Sequence, residues 1–185
     1  MKKFLMWFGI VVVALIVLMM IAFPILQNQT KKASPEEVVT HAVDDLNMEV
    51  FYCRPSKKGR VIFGELVPYG VTWRTGANEA TTFMTSKDIS FGGKDLAAGT
   101  YSLWTVPGES SWEVVLNSGE YSWGVGWGAQ ASRKPELDML SVNTPVEILP
   151  SVTEMLTISF AEPDSLNKSQ LMISWDQTRV SVPIN

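Results

Sequence analysis

The chain holds one cysteine and one histidine in 185 residues, and each shortage closes off chemistry. Cys53 has no partner for an intramolecular disulfide, and without a second sulfur a cysteine-based zinc site is excluded. His41 has no second histidine to work with as a base and no evident companions as a metal ligand, so it is expected to be a surface or packing residue. Positive charge is also scarce: the formal net charge is -4, and beyond the first 30 residues 13 basic residues face 19 acidic ones, a net -6. Nucleic acid is held by clustered positive charge, so that partner class is excluded. A nucleophile elbow, a His-Glu-x-x-His motif and a carboxylate-rich calcium loop are all missing. No metal and no cofactor is expected, and no repeat of fixed period is present.

What the chain does have, at its start, is apolar length. Phe4 to Leu26 runs 23 residues without a charge. As a helix it spans about 35 Å, enough to cross a hydrocarbon core of about 30 Å with some tilt. A cleaved signal peptide has a shorter apolar core and a small-x-small site; Ala22-Phe23-Pro24 does not supply one, and no cysteine follows for a lipoprotein signal. The expectation is an uncleaved anchor over residues 1–26, a polar linker over 27–33 and one folded domain over 34–185. Lys2 and Lys3 on one side balance Lys31 and Lys32 on the other. The two-residue head and large C-terminal domain then favour a single-pass signal anchor in the cell (inner) membrane, with the N-terminus cytoplasmic and the domain extracytoplasmic, or periplasmic.

Ser34-Pro35-Glu36-Glu37 carries helix-start chemistry: a capping serine, a proline in the first turn and a glutamate that closes a capping box. One short helix to about Asp44 is expected. From Leu46 the period changes to two, with Leu46, Met48, Val50 and Tyr52 alternating against Asn47, Glu49, Phe51 and Cys53. Trp112, Val114 and Leu116 repeat the pattern, as do Leu156, Ile158 and Phe160. Leu171, Ile173 and Trp175, then Val180, Val182 and Ile184, are expected as the two arms of a hairpin around Asp176 to Arg179. Turn signals at Phe91-Gly92-Gly93-Lys94, Ala98-Gly99, Pro107-Gly108 and Asn117-Ser118-Gly119 separate the strands. The fold class is therefore mainly β: an antiparallel β-sandwich or flattened barrel of about 8–9 strands, with one short N-terminal helix, behind a single transmembrane helix. Tyr121 to Leu137 is the least regular segment and is expected to include a long surface loop. Cys53, at a strand position with no pattern of reactive thiols, is expected to pack.

Polar recognition chemistry concentrates in two stretches. Arg54-Pro55-Ser56-Lys57-Lys58-Gly59-Arg60 is a basic loop in an acidic domain. Arg54 and Arg60 suit bidentate capture of an anion, or else pair with the domain's own acids. Val67 to Thr82 packs Tyr69, Trp73, Arg74, Asn78 and Glu79 among Pro68, Gly70 and Gly76. Trp73 as a stacking ring, with Arg74, Asn78 and Glu79 fixing hydroxyls, would make a groove for a glycan or an anionic small molecule. The structural alternative has Trp73 in the core, Asn78 closing a turn and Arg74 and Glu79 forming an internal ion pair. Gly124-Val125-Gly126-Trp127-Gly128 lacks the spacing and the following helix of a phosphate loop, and reads as a glycine-rich turn between Trp123 and Trp127. Asn28-Gln29-Thr30 and Asn167-Lys168-Ser169 fit the glycosylation pattern, which matters only in a eukaryotic secretory pathway.

In these residues the chain resembles the bacterial domain of unknown function 2911 family, frequent in Bacteroidetes. The resemblance runs from Ser34-Pro35 to Pro183-Ile184. It is carried by Tyr52-Cys53-Arg54-Pro55, Lys58-Gly59-Arg60, Ile62-Phe63-Gly64, Val67-Pro68-Tyr69-Gly70, Trp73 through Thr81, Ser86-Lys87-Asp88, Gly93-Lys94 and Ala98 through Leu103. Cys53 departs from it, since the family more usually has serine there, as does the segment from Gly124 to Gly128. The resemblance implies an exported β-rich domain, often behind a signal peptide, and no known activity. Three functional readings follow. The first is an anchored extracytoplasmic domain binding a polar ligand at Arg54, Arg60, Tyr69, Trp73, Arg74, Asn78 and Glu79. The second is an envelope-assembly module in which the same residues are structural. The third is a hydrolase using Glu79.

Overall fold

The alternation that starts at Leu46 builds the first two strands of the domain. In the computed structural model, which describes residues 2–126, 128–161 and 168–185, β2 (Leu46–Cys53) buries Met48, Val50 and Tyr52 and pairs antiparallel with β1 (Glu36–Val43). The short helix expected from Ser34 to about Asp44 is therefore a strand. Its half-buried and exposed positions alternate from Glu36 to Val43, and a two-residue turn at Asp44-Asp45, with Asp44 at φ 52, returns the chain to β2. β-branched Val38, Val39, Thr40 and Val43 suit the pairing offered by β2. The Ser34-Pro35 cap signal goes unused, because the Pro35 carbonyl accepts the Arg54 N–H at 2.8 Å. His41 stacks on Phe160 with ring centroids 5.1 Å apart and bonds the Ser169 hydroxyl at 2.8 Å, as a packing histidine.

Seven further strands follow: β3 (Thr81–Thr85), β4 (Ile89–Phe91), β5 (Lys94–Leu96), β6 (Gly99–Val106), β7 (Ser111–Asn117), β8 (Asp138–Ala161) and β9 (Ser169–Ile184). All the strand ladders are antiparallel, in one sheet of order β1-β2-β3-β6-β7-β8-β9-β4-β5 that is open at β1 and β5. β8, 24 residues long, pairs with β7 through Asp138 to Pro145 and with β9 through Val146 to Ala161. It thus carries the chain from one half of the sheet to the other. The hairpin expected around Asp176 is instead one 16-residue strand, β9, kinked where Asp176 takes φ 56 and faces Thr153. The buried positions switch there from Leu171, Ile173 and Trp175 to Val180, Val182 and Ile184, the one-residue parity change a bulge produces.

The main core lies on one face of β2, β3, β6 and β7, opposite β8, β9 and β4, with Val50, Phe83, Phe91, Leu103, Ile173 and Val182 almost wholly buried. Each such side chain contributes about 1.5–3 kcal/mol of burial. Tyr52 ties the halves together: its hydroxyl accepts the Ile158 N–H at 3.0 Å inside the core. The outer face of the sheet is not open either. Trp104, Val115 and Ala80 form a second, smaller cluster, covered by Tyr121 and Ala131. The irregular segment after β7 is therefore a lid on that face, ending in a single 3-10 turn at Pro135–Leu137.

N-terminal to the domain, α1 (Lys2–Ala33) is a helix that continues through the polar stretch 27–33. Its part Met6–Ala33 is long and apolar enough to cross a membrane, with a hydropathy of 3.0 in its most apolar window. Pro24 sits inside it and removes one helical hydrogen bond. Asn28 of the first glycosylation triplet lies in this helix. Asn167 of the second triplet, and Trp127, lie outside the described residues.

Candidate functional site

Cys53 ends β2 directly after the core residue Tyr52, so its side chain leaves the opposite, outer face of the sheet. Glu36 is its cross-strand partner and projects from that same face. A loop from Trp73 to Ala80 folds over this point. The Ala77 N–H donates to the Cys53 carbonyl at 3.3 Å. A Cβ on Gly76 would stand 2.9 Å from that carbonyl, so the close approach requires glycine there. Thr75 and Asn78 take φ of 56 and 57. For a buried β-branched threonine this backbone costs about 1–3 kcal/mol. It is held by the Thr81 hydroxyl, which donates to the Thr75 carbonyl at 2.9 Å, and by a 3.1 Å hydroxyl contact between Thr75 and Thr105.

The strained loop delivers two polar side chains to Cys53. The thiol donates to Glu79 Oε2 at 3.2 Å, and Asn78, whose Nδ2 donates to the Ser34 carbonyl at 3.5 Å, stands close enough to favour the thiolate slightly. Glu36, Cys53 and Glu79 bring one carboxylate oxygen each and the sulfur within 4.8 Å of one another. Burial first, and the Glu79 carboxylate second, push the Cys53 thiol up to about 11. From the ordinary value of 9.0 up to about 11, the unfolded chain gives up this proton and the folded one keeps it. Stability is accordingly lost as pH rises through that window. At pH 8 the native thiol should react with a disulfide reagent about a hundredfold more slowly than the same thiol in denaturant. Rapid labelling of the folded protein would contradict this environment.

Arg74 lies beside this group. Its stem runs against Gly124, where an added Cβ would meet Arg74 Cδ at 2.3 Å, and the Gly124 N–H donates to the Asn78 carbonyl at 3.0 Å. Burial lowers its guanidinium pKa, opposed only by the Cys53 sulfur. Its Nε is buried without a hydrogen-bond partner, and among the described residues Arg74 has no ion pair. The internal pair with Glu79 is not formed.

The other candidates belong to separate networks. Arg54 pairs with Glu37 and donates to the Leu156 carbonyl and the Thr157 hydroxyl, each at 3.0 Å. Arg60 donates to the Lys57 carbonyl at 3.0 Å and the Ser56 carbonyl at 2.5 Å. Lys57 of the same loop pairs with Asp176, so this basic loop meets the domain's own acids. Tyr69 is exposed and lies over Gly64. Trp73 is half-buried, with its ring stacked on Trp175 at 5.9 Å and edge-on to Phe63 and Trp112, and its N–H on the Gly76 carbonyl. Of the seven candidates the fold gathers Arg74, Asn78 and Glu79, and it adds Cys53, Glu36 and Gly124.

A family model described as "Protein of unknown function (DUF2911)" matches residues 34–184. The chain belongs to that family. The DUF2911 match takes in the whole cluster from Glu36 to Gly124 and leaves α1 outside it. No curated protein and no solved structure matches the chain.

Proposed function

We propose that this DUF2911 protein is a membrane-anchored, extracytoplasmic binding module that holds an anionic ligand on Arg74, with Asn78 and Glu79 beside it. A carboxylate-bearing glycan or small molecule fits this chemistry. One observation carries the reading. The chain has five arginines. Arg54, Arg60, Arg133 and Arg179 all hydrogen-bond protein acceptors, whereas among the described residues Arg74 has no such bond and its buried Nε lacks an acceptor. Leaving a buried donor unsatisfied costs about 1–3 kcal/mol. The shortage is not of acids, since residues 34–185 contain 11 basic and 19 acidic residues. A ligand oxygen satisfies the guanidinium, and a glycine at position 124 leaves room for the stem that aims it. The apolar helix, long enough to cross a membrane, supports tethering.

Titration calorimetry of the full chain in micelles, against uronic-acid oligosaccharides, simple dicarboxylates and sulfated sugars, tests the site. Arg74→Gln should weaken the ligand that binds by roughly a hundredfold, the scale of a lost charge-assisted pair, with a melting temperature equal to or above the parent's. If Arg74→Gln binds each member of the panel as the parent does, the assignment fails. An assembly module remains the second reading, favoured by the packing of Trp73 into the aromatic core.

A further inference from the structure

We propose that Glu36, Cys53 and Glu79 form a site for one divalent transition-metal ion of the zinc type. The three side chains come from separate segments, namely β1, the end of β2 and the loop before β3, and the fold brings one ligand atom of each within 4.8 Å of the other two. A tetrahedral zinc with a sulfur at about 2.3 Å and an oxygen at about 2.0 Å sets those two ligand atoms about 3.5 Å apart. Cys53 Sγ and Glu79 Oε2 stand at 3.2 Å. The sulfur is buried and fixed at a strand end, and Glu79 is fixed by the loop that Gly76 and Asn78 allow. Glu36 is exposed on the edge strand, opposite Cys53 in the β1–β2 register.

The donor set also selects the ion. One thiolate with two carboxylates suits a borderline-soft cation such as zinc or cobalt(II), whereas calcium and magnesium prefer oxygen alone. Binding exchanges a proton for the metal: the Cys53 S–H bond breaks, the proton leaves to solvent, and a sulfur–metal bond forms in its place. A lone sulfur excludes a cysteine-only zinc site, but a mixed set of this kind needs only one. Three protein ligands leave a fourth position, as in zinc sites that bind exogenous groups. This last step rests on the anion reading of Arg74, because an anion held by that guanidinium would be the fourth ligand. It also accounts for a guanidinium near Cys53 whose buried Nε has no acceptor.

Cobalt(II) alone, titrated into the full chain in micelles, reads the site directly. The expected result is one equivalent bound, with a near-ultraviolet thiolate-to-cobalt charge-transfer band. Cys53→Ser should lose that band, and Glu36→Gln should keep it while binding roughly 10- to 100-fold more weakly. Arg74→Gln should take up cobalt undiminished while losing the anion, so failure of the metal site and failure of the anion site are told apart. Absence of the band in the parent overturns the proposal, as does Cys53→Ser binding cobalt as the parent does. Should Cys53→Ser not fold, Glu36→Gln decides, since an unchanged cobalt affinity there overturns the three-ligand site.

Discussion

Trp73→Ala is expected to lower the unfolding free energy of the domain by about 3 kcal/mol, the low end of the range for removing a core tryptophan, because Trp73 is only half-buried. The loss has three sources: the stacked contact with Trp175, the edge contacts with Phe63 and Trp112, and the 3.1 Å bond that holds the Gly76 carbonyl. Trp73 also sits where the loop joins β6, exchanging backbone bonds with Thr105 at 2.7 and 3.0 Å, so the cavity opens under the segment that carries Arg74 and Glu79. Trp73→Phe keeps an aromatic ring in the cluster and should cost about 1 kcal/mol, mostly the lost hydrogen bond. Urea unfolding followed by tryptophan emission measures both. The same pair separates the functional readings. If the ring is core, Trp73→Phe retains ligand affinity within about twofold; if affinity vanishes while stability holds, the indole is a ligand platform and its place in the core is incidental.

What could be read in the sequence followed from period. β2 and the second half of β8 announce themselves because one face of each is more deeply buried than the other, so Val50 and Ile158 stand out by alternation, and β7 does so through Trp112, Val114 and Leu116 although Val115 and Asn117 on its other face are buried as well. β1 did not, because the same four residues, Ser34 to Glu37, that would cap a helix in isolation are recruited by the edge of β2, and tertiary pairing outweighs a local cap worth about 1 kcal/mol. β9 contained its own correction: the inward positions change from odd to even between Trp175 and Val180, which a bulge produces and a hairpin need not. The site was half legible. Arg74, Asn78 and Glu79 lie in one dense stretch and could be flagged together. Cys53 and Glu36 could not, since their pairing exists only across the β1–β2 register. Gly124 was visible as part of a glycine-rich turn, but not as the surface against which Arg74 lies.

Asn117→Ala is expected to be more damaging than its single polar side chain suggests, at about 3–5 kcal/mol, which for a domain of this size lowers Tm by roughly 10 °C. Asn117 is fully buried at the end of β7, and its amide is saturated. Nδ2 donates to the Lys134 carbonyl and to Asp138 Oδ1, both at 2.8 Å, while Oδ1 accepts the Gly119 N–H at 2.8 Å and the Tyr121 hydroxyl at 3.0 Å. Those four bonds close the lid between Gly119 and Lys134, which packs Tyr121 against Trp104 and carries Gly124 to Arg74. Burial would raise the Asp138 carboxyl, but hydrogen bonds from Arg133 and Asn117, with the Arg133 charge, hold it below 3.8. The stability from this carboxylate is present above that value and lost as pH falls beneath it, so the variant should also show a shallower acid limb. Hydrogen exchange across 119–134 should rise, and ligand affinity should fall although Asn117 touches no ligand. A loss under 1 kcal/mol with exchange unchanged would mean that the lid stays closed without its amide, and that the outer-face cluster of Trp104, Val115 and Ala131 is enough to position Arg74.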